Sequence, residues 1–244
     1  MRPSNACRIS SRVRVIVISS IIATMSVAAH AQFVYWADVG ENAIRRAATD
    51  GSGVELLVSG TDAATPTALT LDLRGGKIYW CGTAPSSVRR ANLDGTDVEV
   101  LSTTGLDFAN GIALDSTGGH LYVTSFYNSQ VNRYNLDGSG YLAIHTFPAD
   151  SWPRGIDLDL DAGKMYYQLQ ALNRIERSDL DGSNVETLVD PAGSTPHDLS
   201  LDTLAGKIYW VNLGNDEIKR SNLDGSNVET VVATGTRPRG LALD

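Results

Sequence analysis

Leu69-Thr70-Leu71-Asp72, Lys77-Ile78-Tyr79-Trp80, Val88-Arg89-Arg90-Ala91-Asn92-Leu93-Asp94-Gly95 and Val98-Glu99-Val100-Leu101 follow one another within a single short stretch of the 244-residue chain. The first segment alternates apolar and small residues, which is the period of a strand. Arg74-Gly75-Gly76 reads as a turn. The second segment is β-branched and aromatic, as a sheet favours. Asp94-Gly95 predicts a tight hairpin turn, because both residue types tolerate positive φ. Four short strands joined by turns make one antiparallel sheet. No stretch of the chain keeps a 3.6-residue period over a helical length, so the expected class is all-β.

The same unit recurs. Asp-Gly stands at 50–51, 94–95, 137–138, 181–182 and 224–225, in steps of 43 or 44 residues. In step with it run Tyr35-Trp36, Tyr79-Trp80, Tyr122-Val123, Tyr166-Tyr167 and Tyr209-Trp210. So do Arg46, Arg90, Arg133, Arg177 and Arg220, and so do Asp72, Asp115, Asp159, Asp202 and Asp244. A lone four-stranded sheet cannot bury both faces, whereas radial stacking lets each sheet cover its neighbour. The expected architecture is a β-propeller of five four-stranded blades. The chain after residue 31 opens on a second strand and ends on Gly240-Leu241-Ala242-Leu243-Asp244, a first strand. Two ring forms follow: one closed by N- and C-terminal strands, or an open, truncated six-blade ring.

Residues 1–31 have a separate character. Arg2, Arg8, Arg12 and Arg14 precede an apolar run from Val15 to Ala28, and Ala29-His30-Ala31 ends it as a small-x-small site. That is the three-part pattern of an export signal, with cleavage expected after Ala31 and the propeller domain spanning 32–244. The run is roughly 14 residues, short of the ~20 that a bilayer crossing needs, so no stable membrane insertion is expected after cleavage. Secretion or periplasmic localisation follows. Formal charge is −8 for the whole chain. Without the four leader arginines, 16 basic and 28 acidic residues remain, a net −12. Such an acidic chain is a poor nucleic-acid partner, because phosphate binding needs clustered Lys and Arg. Cys7 leaves with the leader, so Cys81 has no disulfide partner and reads as a small buried strand residue.

Lys77-Ile78-Tyr79-Trp80, Lys207-Ile208-Tyr209-Trp210 and Ile218-Lys219-Arg220-Ser221-Asn222-Leu223-Asp224-Gly225-Ser226 resemble the YWTD repeat, the class B repeat of the low-density lipoprotein receptor. The similarity extends over residues 32–244. It implies an extracellular β-propeller that binds proteins or supports neighbouring modules without catalysis. The Thr-Asp that follows Tyr-Trp in the family is degenerate here, reading Ala37-Asp38, Cys81-Gly82, Thr124-Ser125, Gln168-Leu169 and Val211-Asn212. The family normally has six blades, against five counted. The EGF-like and cysteine-rich modules of the animal receptors are also missing, so the chain looks more like an exported bacterial relative.

First strands line a propeller's channel. Their large residues should enter the inter-blade core, and the small ones should face the axis with Asp157 among them. Just before these lie Thr67, Asn110, Arg154, His197 and Arg239, a ring expected at the channel mouth. Its arginines suit carboxylates. Phe126, Tyr127, Trp152 and the segment Leu169 to Leu172 fall in adjacent loops of the same face, the composition of an interaction surface. The expected ligand is a protein or peptide with an acidic segment. No zinc cluster, calcium loop, nucleophile elbow or phosphate loop is present in the sequence, so no cofactor, metal or catalytic residue is assigned. Two other functions stay open: a calcium-dependent lactonase-like hydrolase, and a structural segment of a larger surface protein.

Overall fold

The computed structural model describes residues 13–16, 33–190, 195–234, 238, 240, 241 and 243. The basic leader segment, the Ala29-His30-Ala31 site and Arg239 lie outside them. Among the described residues, twenty strands form five four-stranded antiparallel sheets. The first holds β1 (Val13–Ile16), β2 (Phe33–Asp38), β3 (Ala43–Ala48) and β4 (Glu55–Ser59). The second holds β5 (Pro66–Asp72), β6 (Lys77–Thr83), β7 (Ser86–Asn92) and β8 (Glu99–Ser102). The third runs from β9 (Ala109–Asp115) through β10 (His120–Ser125) and β11 (Gln130–Asn135) to β12 (Leu142–Thr146). The fourth holds β13 (Pro153–Asp159), β14 (Lys164–Leu169), β15 (Arg174–Asp179) and β16 (Glu186–Val189). The fifth holds β17 (Pro196–Asp202), β18 (Lys207–Asn212), β19 (Glu217–Asn222) and β20 (Glu229–Ala233). This is the five-blade propeller that the repeat predicts.

The pleat explains why aromatic pairs recur. Along β6, Ile78 and Trp80 face the first sheet, while Tyr79 and Cys81 face the third. Successive residues of the second strand of each blade therefore fill two different inter-blade cores. Among the described residues there are four such cores, joining the first sheet to the second and so on to the fifth. Hydrogen bonds cross the same interfaces. Thr124 Oγ1 donates to Arg154 O at 2.7 Å, and Gln168 Nε2 donates to Asp198 O at 2.8 Å. Both stand where the family has threonine, so the degenerate position still links neighbouring inner strands.

The repeated arginines are structural, as their recurrence predicts. Arg46, Arg90, Arg177 and Arg220 pair with Glu55, Glu99, Glu186 and Glu229 at 2.6–2.8 Å. These glutamates are about half exposed, so each pair contributes ~0–1 kcal/mol. Arg46, Arg90 and Arg177 also donate Nη1 to a carbonyl of the following blade, Leu93, Leu136 and Leu223 respectively, each at 3.0 Å. Arg133 departs from the pattern because Leu142 stands opposite it instead of a glutamate.

One buried acid runs against the usual carboxylate behaviour. Glu176 on β15 is 6% exposed, with Arg174 Nη1 3.9 Å away and Thr187 Oγ1 at 3.5 Å. Burial raises its pKa, and Arg174 offsets only part of this. A raised native pKa means that the protonated form is the one the fold favours. Its contribution is therefore present at acid pH and lost as pH rises through the native pKa. Glu176→Gln is expected to raise Tm at neutral pH, with the gap to the parent closing as pH falls below the ordinary glutamate range. A gap independent of pH would show that ionisation of Glu176 has no part in it.

Residues 13–16, which the sequence assigns to the leader, form the inner strand of the first sheet, with Val15 opposite Trp36. The C-terminal residues Gly240, Leu241 and Leu243 lie outside any strand, although Leu241 N donates to Asp198 Oδ2 of β17 at 3.0 Å. In the described residues the place beside β2 is thus held by Val13–Ile16 and not by the C-terminal segment.

Candidate functional site

The residue preceding each of β5, β9, β13 and β17 turns the chain inward through left-handed backbone. Thr65, Phe108, Trp152 and Thr195 have φ of 55–61°. Non-glycine residues seldom adopt this region, and bulky or β-branched ones least of all. What holds them is the carbonyl. Phe108 O accepts from Phe126 N, Trp152 O from Gln170 N, and Thr195 O from Leu213 N, each at 3.1 Å. This local turn places the side chains of Phe108 and Trp152 at one end of the barrel of sheets, beside the loop after β10.

There they assemble an aromatic group. Phe126 and Trp152 stack at 5.6 Å with 14° between planes. Phe108 meets Phe126 and Tyr127, both at 5.7 Å. Tyr127 meets Phe126 edge-on at 4.9 Å. Phe126 is buried beneath this group, while Tyr127 is 59% and Trp152 37% exposed. Arg154, two residues after Trp152, lays its guanidinium 4.7 Å over the Phe126 ring. Its Nε donates to Gln170 Oε1, and its Nη1 lies 3.1 Å from His197 Nε2. A guanidinium only donates, so His197 Nε2 accepts and its proton sits on Nδ1. The arginine is thus oriented by an amide, an imidazole and a ring, with its planar guanidinium beside exposed aromatic surface.

The expected ring of mouth residues is only partly assembled. Arg154 and His197 do come together. Thr67 instead points into the neighbouring blade, its Oγ1 donating to Ala109 O at 3.0 Å and Asn110 O at 3.1 Å. Asn110 is 5% exposed and so presents little to a ligand. Leu169, read from sequence as part of an exposed loop, ends strand β14 and is buried, because the strand runs one residue-pair further than the turn signals suggest. Leu172 does lie in the loop, 37% exposed. Asp157 binds two backbone N–H groups. Its Oδ1 accepts from Leu158 N at 2.8 Å, and its Oδ2 accepts from Leu201 N at 2.9 Å on the next inner strand. Asp198 does the same one blade on, accepting from Leu199 N and Leu241 N. Asp157 fastens β13 to β17, and Asp198 fastens β17 to the C-terminal segment. Sequence reasoning missed Gln170, Phe108 and Asp198. The one available signal was their register: each sits at a fixed offset from the Tyr pair of its unit.

Among the described residues, no group of three or more His, Cys, Asp or Glu side chains is placed to hold a metal ion. No helix among them is long and apolar enough to cross a membrane.

Radial four-stranded sheets with a polar and aromatic patch at one end of the axis define a β-propeller with a candidate binding mouth. Residues 206–244 match the family described as low-density lipoprotein receptor repeat class B. That match falls on the last of the five units that share one register. No curated protein matches the chain in sequence. Among solved structures it is similar to nidogen in a complex with laminin, at 20% identity and a TM-score of 0.76, covering 84% of this chain and 80% of that one. It is also similar to a catalytically inactive virginiamycin B lyase from Staphylococcus aureus with quinupristin, at 17% identity and a TM-score of 0.71, covering 96% and 75%. A gluconolactonase from Xanthomonas campestris matches at 16% identity and a TM-score of 0.73, covering 86% and 75%. At these identities the likeness concerns the fold.

Proposed function

We propose that the chain is an exported, non-catalytic binding propeller whose mouth takes a protein or peptide ligand carrying an acidic segment. The observation that carries this reading is Arg154, held by Gln170 and His197 against the Phe126–Trp152 stack. A planar cation beside exposed aromatic rings suits a carboxylate flanked by an apolar or aromatic side chain. The similarity to nidogen, solved with a protein partner, supports a protein ligand. The leader sequence supports export to the periplasm or medium.

A labelled peptide pairing Glu with Trp, titrated by fluorescence anisotropy, tests the site. Arg154→Ala is expected to weaken binding ~tenfold or more, and Arg154→Lys to recover part of it, since lysine keeps the charge and loses the fork. Equal affinity in parent and Arg154→Ala would remove the site from consideration.

The similarity to the lyase and the gluconolactonase favours a second reading, a hydrolase-like enzyme using calcium in the channel. That chemistry needs several inward oxygen ligands. Asp157 and Asp198, both on inner strands, accept backbone N–H groups. Metal analysis of the purified protein separates the two: one tightly held calcium per chain supports the enzyme. The third role, a structural segment of a larger surface protein, predicts instead that the native protein is recovered within a bigger covalent chain.

A further inference from the structure

The turns that lead from β5, β9, β13 and β17 into the following strands lie at the end of the axis opposite the mouth. A carboxylate fixes each of them. Asp72 Oδ1 accepts from Gly75 N at 2.8 Å, and Asp115 Oδ1 from Gly118 N at 2.6 Å. Asp159 Oδ1 accepts from Ala162 N at 3.0 Å, and Asp202 Oδ1 from Ala205 N at 2.8 Å. Three of these fixed turns hold a leucine out in solvent. Leu73 is 55% and Leu160 42% exposed, and Leu204 is exposed entirely. The third unit carries Ser116 and Thr117 in the same turn, so the fold does not require an apolar residue there. Single exposed leucines are ordinary. Three in equivalent turns, on inner strands that stand side by side, make an apolar arc at one end of the molecule.

Acidic turns flank the arc. Backbone bonds join each leucine turn to the Asp-Gly turn of its own unit. Leu93 N donates to Gly76 O at 3.1 Å, Leu180 N to Gly163 O at 3.1 Å, and Leu223 N to Gly206 O at 3.0 Å. Asp50, Asp94, Asp137, Asp181 and Asp224 therefore stand at this same end. Each carboxylate accepts a Ser or Thr hydroxyl two residues on, at 2.6 Å. Those bonds hold the five carboxyls below the ordinary aspartate range, so they stay charged well into acid pH. The lysines of this end are engaged, Lys77 with Asn92, Lys164 with Asp179 and Lys207 with Asn222. Arg74, beside Leu73, is an exposed opposing charge.

We propose that this far end is a second docking surface, for a protein segment that presents apolar side chains among lysines or arginines. Leu73, Leu160 and Leu204 supply the apolar contact, and the Asp-Gly turns supply a charged rim around it. Charge selects this occupant over two others. An anionic membrane would be repelled by the same carboxylates. A second copy docked about a two-fold axis would set one acidic rim against another. The surface is separate from the mouth, which offers a cation to an acidic ligand. One propeller would then hold partners of opposite charge at its two ends.

The test titrates the full chain into a short labelled peptide of Leu and Lys, read by fluorescence anisotropy. A Ser and Lys peptide of equal length and charge is the control. The Leu–Lys peptide is expected to bind ~tenfold or more tightly than the control, with affinity falling as salt rises. Combining Leu73→Ser, Leu160→Ser and Leu204→Ser should remove that advantage. Tm should stay within ~2 °C of the parent, because exposed turn substitutions change stability little. Leu204→Ser alone should give part of the same loss. Equal binding of the two peptides, or of parent and triple variant, overturns the proposal. So does displacement by the Glu–Trp peptide used for the mouth, which would mean one shared site. Leucine-dependent binding to vesicles of phosphatidylcholine and phosphatidylglycerol would assign the surface to a membrane instead. A dimer in sedimentation that the triple variant abolishes would assign it to a second copy. Either result overturns the proposal as well.

Discussion

Gly182→Ala should cost about 3 kcal/mol or more, while the same change at Gly51 should cost ~1 kcal/mol. Both glycines occupy the Asp-Gly turn of their unit with nearly equal backbone, φ +86° and +82°. Both substitutions therefore carry the penalty of left-handed backbone for an L-residue. They differ in what lies beyond. A Cβ at Gly182 would stand 2.0 Å from Ile144 O and 2.8 Å from its carbon, which is backbone of the preceding sheet and cannot rotate away. The turn or the neighbouring strand must shift, and the core between the third and fourth sheets opens with it. At 2–4 °C per kcal/mol for a domain of this size, the loss at Gly182 should lower Tm by ~6–12 °C. Chemical denaturation of the two variants side by side is the measurement. Equal losses would mean that the close approach of turn to strand contributes nothing to the fold.

Trp80→Ala should be the most damaging single truncation, at ~3–5 kcal/mol. Trp80 is fully buried between the first and second sheets, in contact with a core that includes Tyr35, Ile44, Leu69 and Ile78. Its Nε1 donates to Ala63 O at 3.1 Å, so truncation leaves a cavity and also a carbonyl without its donor. Trp80→Phe separates the two effects: it retains most of the ring volume and loses the hydrogen bond, so a cost of ~1–2 kcal/mol is expected. Trp36→Ala is the internal comparison. It has the same position in the unit but is only half-buried, so its loss should be smaller. A cost at Trp36 equal to that at Trp80 would show that depth of burial does not set the penalty.

The architecture was legible because its determinants are local and repeated. Tyr-Trp, Asp-Gly and the paired Arg each specify a pleat, a turn or a cross-strand contact within a few residues, and the 43–44 residue step carries them through all five units. The structural role of the arginines followed from recurrence alone, and Glu55, Glu99, Glu186 and Glu229 stand opposite them in register. The candidate mouth was legible only in part. Arg154 and His197 share a register position, so sequence alignment of the units puts them side by side. Trp152 lies on this face as its loop position predicts, while Phe108 joins through a left-handed turn that its residue type does not announce, and Gln170 through its bond to Arg154. Asp157 looked available because its strand position faces the axis. The next inner strand, forty-four residues on, supplies the N–H group that occupies it.

The sequence by itself determined the sheet, its four strands, its five copies and the alternation that sends neighbouring side chains into two different cores. These depend on period and turn chemistry, which act over short distances along the chain. Only the tertiary structure decided which side chains reach the mouth, that both axial carboxylates bind backbone, and that Val13–Ile16 holds the inner place on β2. Those outcomes depend on how each sheet and loop is set against its neighbours, joining residues 16 apart at Arg154 and Gln170 and 44 apart at Asp157 and Leu201, relations that no local pattern encodes.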